Sequence, residues 1–335
     1  NYKAEYSRKI EINKKIKLDN KKTKIKGSPV IGFIGAGNYA DSILIPAFKS
    51  LNVDLKTICS LNGINSAYSG KKFGFSNIST DLDSIFDDPE INAVVIATQH
   101  DSHPDLIIKG LNNHKHIFVE KPLALNINQL DKIKSSCLRN KDSLLMVGYN
   151  RRFSPFTIKM KEILLKNKGP KSIIMTINAG FISLDHWTQD KSIGGGRIIG
   201  EACHFVDLAV FLADSEIIEY QRSSMLSKSN DTATLQLKFA NGTIASIHYF
   251  SNGSKSVPKE RIEVFYEGKN IVLNNFRNLK GYDILGFSKM KKFKQDKGQL
   301  NCVKTFINAI KNNSLPPIPY KELFEVSKLT IDLKD

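Results

Sequence analysis

Lys121 and His204 are the two side chains whose type and setting suit proton transfer beside a reacting carbon. Lys121 lies in Glu120-Lys121-Pro122, at the end of the apolar run His116 to Glu120. An ammonium at a strand end can hydrogen-bond the oxygen on a carbon that gains or loses hydride. Its charge then stabilises alkoxide character in the transition state. His204 lies in Gly194-Gly195-Gly196-Arg197-Ile198-Ile199-Gly200-Glu201-Ala202-Cys203-His204-Phe205, inside a helix that reads as apolar on most sides. A buried histidine needs a polar partner. Open to a substrate, it takes a hydroxyl proton as hydride leaves and returns it in reduction. Taken singly, each has a plainer reading: a lysine reaching solvent, and a satisfied core histidine. Their weight comes from the elements that position them.

The first of these is Val30 to Ala40, where a short apolar run ends in Gly35-Ala36-Gly37-Asn38-Tyr39-Ala40. This is Gly-x-Gly-x-x-Ala between a buried strand and a helix, the setting in which the pattern binds a dinucleotide. Gly35 permits the tight turn, Gly37 lets backbone approach a pyrophosphate, and Ala40 keeps the helix near the strand. The helix start offers unpaired N–H groups and its positive dipole end to phosphate. Ile43, Leu44, Ala47, Phe48 and Leu51 recur at helical spacing as one core face, with Pro46 expected to bend the helix or shift its first turn.

From there strand and helix alternate. Strands are expected at Asp54 to Ser60, Ala93 to Thr98, His116 to Glu120 and Ser143 to Tyr149. Helices are expected at Ser66 to Phe73, Asp81 to Asp87 and Ile127 to Arg139, with another beginning near Pro104 under an Asp101 or Ser102 cap. Such alternation implies a doubly wound parallel sheet whose ligands sit beyond the carboxyl ends of the strands. Gly35 to Asn38, Ser60, Thr98 to His103, Glu120 to Pro122 and Tyr149 to Arg152 should surround one crevice. The second strand ends in Cys59-Ser60-Leu61-Asn62-Gly63, with neither the acid that holds the ribose of NAD nor an arginine for the 2′-phosphate of NADP. Either dinucleotide remains open.

After a Ser154-capped helix, strand-like runs follow at Ser172 to Asn178, Ile217 to Ser223, Thr232 to Phe239, Thr243 to Phe250, Arg261 to Glu267 and Asn270 to Leu273. Asn241-Gly242 is a hairpin turn. Helices are expected at Gly196 to Ala213, Leu300 to Asn312 and Lys321 to Leu333. The fold class is therefore α/β: a parallel Rossmann sheet at 29–150, then an α+β unit with a mainly antiparallel sheet at 151–335. Residues 1–28, with ten Lys/Arg against three acids, read as a basic leader or linker, with weak alternation at Ile10, Ile12, Ile16 and Leu18.

The formal net charge is +16 over 335 residues, but no nucleic-acid module accompanies it, so a basic surface that draws in an anionic substrate is the better reading. No run approaches a membrane span and no signal peptide is visible. The four cysteines are far apart, which fits a reducing cytoplasm. The pairs His100/His103 and His114/His116 lack the companions of a metal site, and no metal is expected.

Taken together, the glycine turn, Ala97-Thr98-x-x-x-x-His103, Glu120-Lys121-Pro122, Gly148-Tyr149-Asn150-Arg151-Arg152-Phe153 and the triple glycine leading to His204 resemble the Gfo/Idh/MocA oxidoreductases. The resemblance covers about residue 29 to the end. It implies Lys121 and His204 as a catalytic pair, with NAD or NADP contacted by Gly35, Ala36, Gly37, Asn38, Thr98, His103, Glu120 and Lys121. Tyr39, Ser60 and Gln99 adjoin that set, and Arg152, Trp187 and Glu201 are assigned with Lys121 and His204 to the substrate. A sugar, cyclitol or nucleotide-linked sugar is the implied substrate, and pairing through the open face of the second sheet the implied assembly. Many members carry Asp four residues before the histidine. Here Gly200 stands there, and Glu201, rotated about 100° around the helix, need not replace it. The variant around His204 is similar to a narrower group in which this module follows a zinc-type alcohol dehydrogenase, and the Asn1 start would suit such a seam. A dinucleotide-binding regulator and an NAD-dependent glycoside-cleaving enzyme are the alternatives within the same fold.

Overall fold

The computed structural model describes residues 14–18, 27–167 and 169–334. Two sheets organise them. The first holds β1 (Lys15–Lys17), β2 (Val30–Ile34), β3 (Asp54–Cys59), β4 (Asn77–Ser79), β5 (Ala93–Ile96), β6 (His116–Val119) and β7 (Leu145–Val147), in the order β1-β4-β3-β2-β5-β6-β7. All neighbours are parallel except β1, which runs antiparallel to β4. Strand order reverses between β2 and β5, so a crevice opens beyond their carboxyl ends. Covered on both faces, β2 and β5 are apolar without alternation. Phe33 meets Phe48 and Phe75 edge-on, and Phe118 meets Phe48 and Phe306 likewise, which locks the layer beneath the glycine turn.

Part of the basic leader is structured. Lys15–Lys17 pairs with Ser79–Asn77, and the Leu18 N–H donates to the Ser76 carbonyl at 2.8 Å. Backbone pairing needs no apolar face, so the lysine-rich composition concealed it. The expected alternation at Ile10 and Ile12 lies outside the described residues.

Pro46 acts at the start of its helix. A wide π turn over Ala40–Leu44 passes into an α segment over Ile45–Lys49, placing Pro46 in the first α turn, where a missing N–H costs least. The core face runs through Leu44, Ala47 and Phe48, whereas Ile43 is 37% exposed.

The second sheet holds β8 (Ser172–Asn178), β9 (Ile217–Ser224), β10 (Ala233–Phe239), β11 (Ile244–Phe250), β12 (Glu260–Tyr266), β13 (Lys269–Asn274), β14 (Asn278–Tyr282) and β15 (Lys289–Lys291). Its order is β15-β14-β13-β12-β8-β11-β10-β9, antiparallel except for the parallel pair β8–β11. Asn241-Gly242 turns the β10–β11 hairpin, with Gly242 at φ +82°. In β10 and β12 every second residue is buried, so one face packs and the other stays open. Strands β14 and β15 were not foreseen, because lysine and glycine interrupt their alternation. The buried helix Cys203–Ala213 packs beneath β11. The closing helices Gln299–Lys311 and Tyr320–Asp332 return to the first sheet. Cys302, Val303 and Phe306 join the Phe33 cluster, and the Leu145 N–H donates to Tyr320 Oη at 3.0 Å.

Candidate active site

The glycine turn separates two roles. Gly35 has φ +101°, its N–H donates to the Cys59 carbonyl at 2.9 Å, and a Cβ would fall 2.3 Å from the Ala97 oxygen. Only glycine fits there. At Gly37 a Cβ would meet no atom within 4 Å. The backbone at Gly37, Asn38 and Tyr39 is therefore uncovered at the mouth of the crevice, while Ala36 and Ala40 are buried against the strands. No side chain caps the wide turn that follows. Open glycine backbone and an uncapped helix start fit a dinucleotide pyrophosphate. Ser60 is half-buried, its N–H held by the Ser79 carbonyl, and Leu61 beside it is exposed.

At the end of β5, Thr98 Oγ1 lies 2.7 Å from Ser102 Oγ. The expected cap on the helix His103–Asn112 is absent: Ser102 is helical in backbone and its hydroxyl donates to the Gln99 carbonyl at 2.8 Å. A 3-10 turn over His100–Ser102 precedes that helix instead. Gln99 is exposed at the crevice. His103 is fully buried, with Nδ1 2.8 Å from the Pro122 oxygen and Nε2 3.3 Å from the Thr98 oxygen. Burial pushes its pKa down to about 4, so the neutral ring donates one proton, best to Pro122. This histidine was expected to contact the cofactor; the structure has it bracing the Lys121-Pro122 turn against Thr98.

Glu120 is 8% exposed, and a Cβ on Gly148 would fall 2.6 Å from its Oε1. Burial pushes its pKa up to about 7, against the opposing pull of Lys121. The Tyr39 hydroxyl is raised by burial first and by the Glu120 charge next.

Lys121 reaches the segment leading to His204 at Gly200. The Lys121 ammonium donates to the Gly200 carbonyl at 2.8 Å, one helical turn before His204. A π turn over Ile198–Ala202 leads into the helix Cys203–Ala213 and aims that carbonyl at β6. His204 is 5% exposed and its Nδ1 is sealed without a hydrogen-bond partner. Burial, with the Arg151 and Lys121 charges next, holds its pKa well below 6.5, so the ring is neutral. Tyr149 stands edge-on at 6.1 Å.

Two expected substrate contacts face elsewhere. Arg152 Nε and Nη2 grip Asp207, its Nη1 donates to Glu322 at 2.8 Å, and the residue is 4% exposed. Glu201 takes Lys259, Arg197 and Tyr249 on its two oxygens, and those charges hold its carboxyl well below the usual range. Both are anchors between the helix and its surroundings, made by charged partners distant in sequence. Trp187 does border the site, 4.8 Å edge-on from the ring of His100. His100 fell inside the Thr98 to His103 stretch expected at the crevice, but no contact was assigned to it; the signal for one was the glycine at position 200.

Residues 30–149 match the family model described as "Oxidoreductase family, NAD-binding Rossmann fold", and residues 171–272 match the model of the GFO/IDH/MocA C-terminal domain. The chain belongs to the Gfo/Idh/MocA oxidoreductase family. It is 27% identical over 220 residues to a myo-inositol 2-dehydrogenase of Thermotoga maritima, covering 62% of this chain and 64% of that one. It is 31% identical over 194 residues to a levoglucosan dehydrogenase of Pseudarthrobacter phenanthrenivorans, covering 54% and 49%. Both alignments thus span less than two thirds of the relative. Among solved structures, a levoglucosan dehydrogenase in complex with NADH and levoglucosan superposes with TM-score 0.80 at 22% identity, over 91% of this chain and 95% of that one. That likeness is one of fold.

Proposed function

We propose that the chain is an NAD-dependent dehydrogenase that moves hydride to or from a carbinol carbon of a sugar or cyclitol. The observation that carries this is the contact between Lys121 and the Gly200 carbonyl, which brings an ammonium and the His204 imidazole to one end of one crevice. The named relatives, an inositol and a levoglucosan dehydrogenase, support the substrate class.

Gly35, Ala36, Gly37, Asn38 and Tyr39 would hold the dinucleotide phosphates, with Ser60 toward the ribose and Thr98, Gln99 and Glu120 toward the other end. When bound, NAD supplies the hydride acceptor. The chain does the rest. Lys121 keeps one ammonium proton on Gly200 and has two left to hold the substrate oxygen and offset its developing negative charge. His204, neutral and low in pKa, relays the hydroxyl proton at Nε2, the ring atom that is not sealed. His204 is 5% exposed, and so little water near the ring strengthens each charge interaction in the site.

The same reading takes 29–150 as the cofactor unit and 151–335 as the substrate and assembly unit. The open face of the second sheet carries exposed Ile244 and Phe265, which suits association with a second copy. No described helix is long and apolar enough to cross a membrane. A fused alcohol dehydrogenase module and a cytoplasmic setting belong to this proposal as well. The test is turnover of myo-inositol, scyllo-inositol, levoglucosan and UDP-sugars with NAD⁺ and with NADP⁺, followed by nicotinamide absorbance. Absence of hydride transfer to either dinucleotide across the panel would overturn it.

A further inference from the structure

The space beside Gly200 is occupied by a residue from the other sheet. A Cβ built on Gly200 would fall 3.0 Å from Cε1 of His100 and 3.6 Å from its Nδ1. The missing side chain thus makes room for an imidazole delivered from the end of β5. That imidazole is held from three sides. Nδ1 lies 2.8 Å from the Gly194 carbonyl, Trp187 packs edge-on at 4.8 Å, and the next backbone N–H, that of Asp101, donates to the Ile193 carbonyl at 3.1 Å. The loop before His204 is stitched onto the strand end through this one ring.

The hydrogen bond sets the tautomer. A carbonyl can only accept, so Nδ1 carries the proton and Nε2 presents a lone pair. Among the described residues no group donates to Nε2, and it is not sealed from solvent. His204 differs. Its sealed atom without a partner is Nδ1, so Nε2 is the ring atom that faces the site. Around Gly200 the site therefore offers an ammonium from Lys121, Nε2 of His204 and a fixed acceptor from His100.

We infer that His100 Nε2 is a substrate-binding acceptor, taking a hydrogen bond from a hydroxyl beside the reacting carbon of a polyol, with Trp187 against the ring face of that polyol. Desolvation holds the imidazole neutral, with a pKa down to about 3, so the acceptor persists across the working pH range. Gly200 is the companion feature: a Cβ there would press on the ring, which would have to give by a few tenths of an ångström. This inference rests on the dehydrogenase reading and adds a specificity element that selects substrates with a second hydroxyl next to the first.

The chain has one tryptophan, so Trp187 emission reports on this site alone. The experiment titrates NADH-loaded protein with myo-inositol and with levoglucosan, following Trp187 emission, and compares the wild type with His100→Asn, His100→Gln and Gly200→Ala. Asparagine can keep the bond to Gly194 but has no atom where Nε2 stood. We expect it to retain NADH affinity and thermal stability while weakening polyol binding about tenfold, the worth of one hydrogen bond. Glutamine puts an amide oxygen near the Nε2 position and should recover part of that loss. Gly200→Ala should weaken binding in the wild type and have no further effect in a His100→Ala background, where the ring is gone. Equal polyol affinity in wild type and His100→Asn overturns this inference alone. No polyol response in any NADH-loaded protein overturns the dehydrogenase reading with it.

Discussion

The Lys121 ammonium donates to the Gly200 carbonyl at 2.8 Å, and that bond ties the end of a parallel strand to a helix reached 79 residues later. Charge and scaffold meet in one contact. Replacing Lys121 by Met removes both the charge in the site and a partner of the Gly200 carbonyl. Turnover should fall on the order of 10²–10³-fold while NADH affinity stays within about threefold. Steady-state kinetics and NADH fluorescence check this; unchanged turnover would remove Lys121 from the chemistry.

His204 is retained at a cost to the fold. Its Nδ1 is buried with no partner, and burial, with four nearby cations next, keeps the ring neutral. His204→Leu should abolish turnover yet raise stability by roughly 1–3 kcal/mol, since an unsatisfied polar atom leaves the core. Chemical denaturation of both proteins measures it. A less stable Leu variant would mean that the imidazole has a partner in solution.

The two glycines of the turn should separate under mutation. Gly35→Ala forces a side chain onto the Ala97 oxygen at a positive φ and should cost at least about 2 kcal/mol. Gly37→Ala meets nothing in the protein and should leave stability within about 0.5 kcal/mol. Only the second should lose dinucleotide affinity in a protein that folds normally, read by NADH titration beside a thermal melt.

Glu120 gives a pH signature. Its folded pKa is raised from 4.5 to about 7 by burial, so the native state holds a proton that the unfolded chain releases. Between those values the native state binds more protons, and stability must fall as pH rises. The contribution is complete below about 4.5 and is lost through about 7, on the order of 3 kcal/mol in all. Glu120→Gln should flatten that part of the curve. Identical pH profiles for the two proteins would show that the carboxyl ionises normally.

Arg152 lies in a buried pair with Asp207. Arg152→Met should destabilise by roughly 3–5 kcal/mol, because Asp207 is left charged and alone. The fraction that folds should keep its KM for the polyol. A large rise in KM at full stability would return Arg152 to the substrate.

Most of the first sheet was legible because a strand buried on both faces is a short apolar run and its helices announce themselves by glycine and proline. The glycine turn and Glu120-Lys121-Pro122 could be assigned to the crevice because they follow strand ends, whereas His204 had to be read from an apolar helix. Side-chain direction could not be read. Arg152, Glu201 and His103 all lie in the right stretches, yet each turns toward a partner far away in sequence: Asp207, Lys259 and Pro122. His100 was placed at the crevice but given no contact, because its significance is the absence of a side chain at Gly200, a hundred residues on. The strand over Lys15–Lys17 was faint for another reason, since lysines flank Ile16 and leave only a weak alternation, while the pairing to β4 is made by the backbone.

The return of the helix Gln299–Lys311 to the first sheet has a consequence for synthesis. Phe306 caps Phe118, and Cys302 and Val303 complete the layer that holds Phe33 and Phe48. A nascent chain emerging from the ribosome exposes that aromatic layer until the helix Gln299–Lys311 has been made. The first sheet, translated earlier, is completed only then, and during the interval it presents an apolar surface.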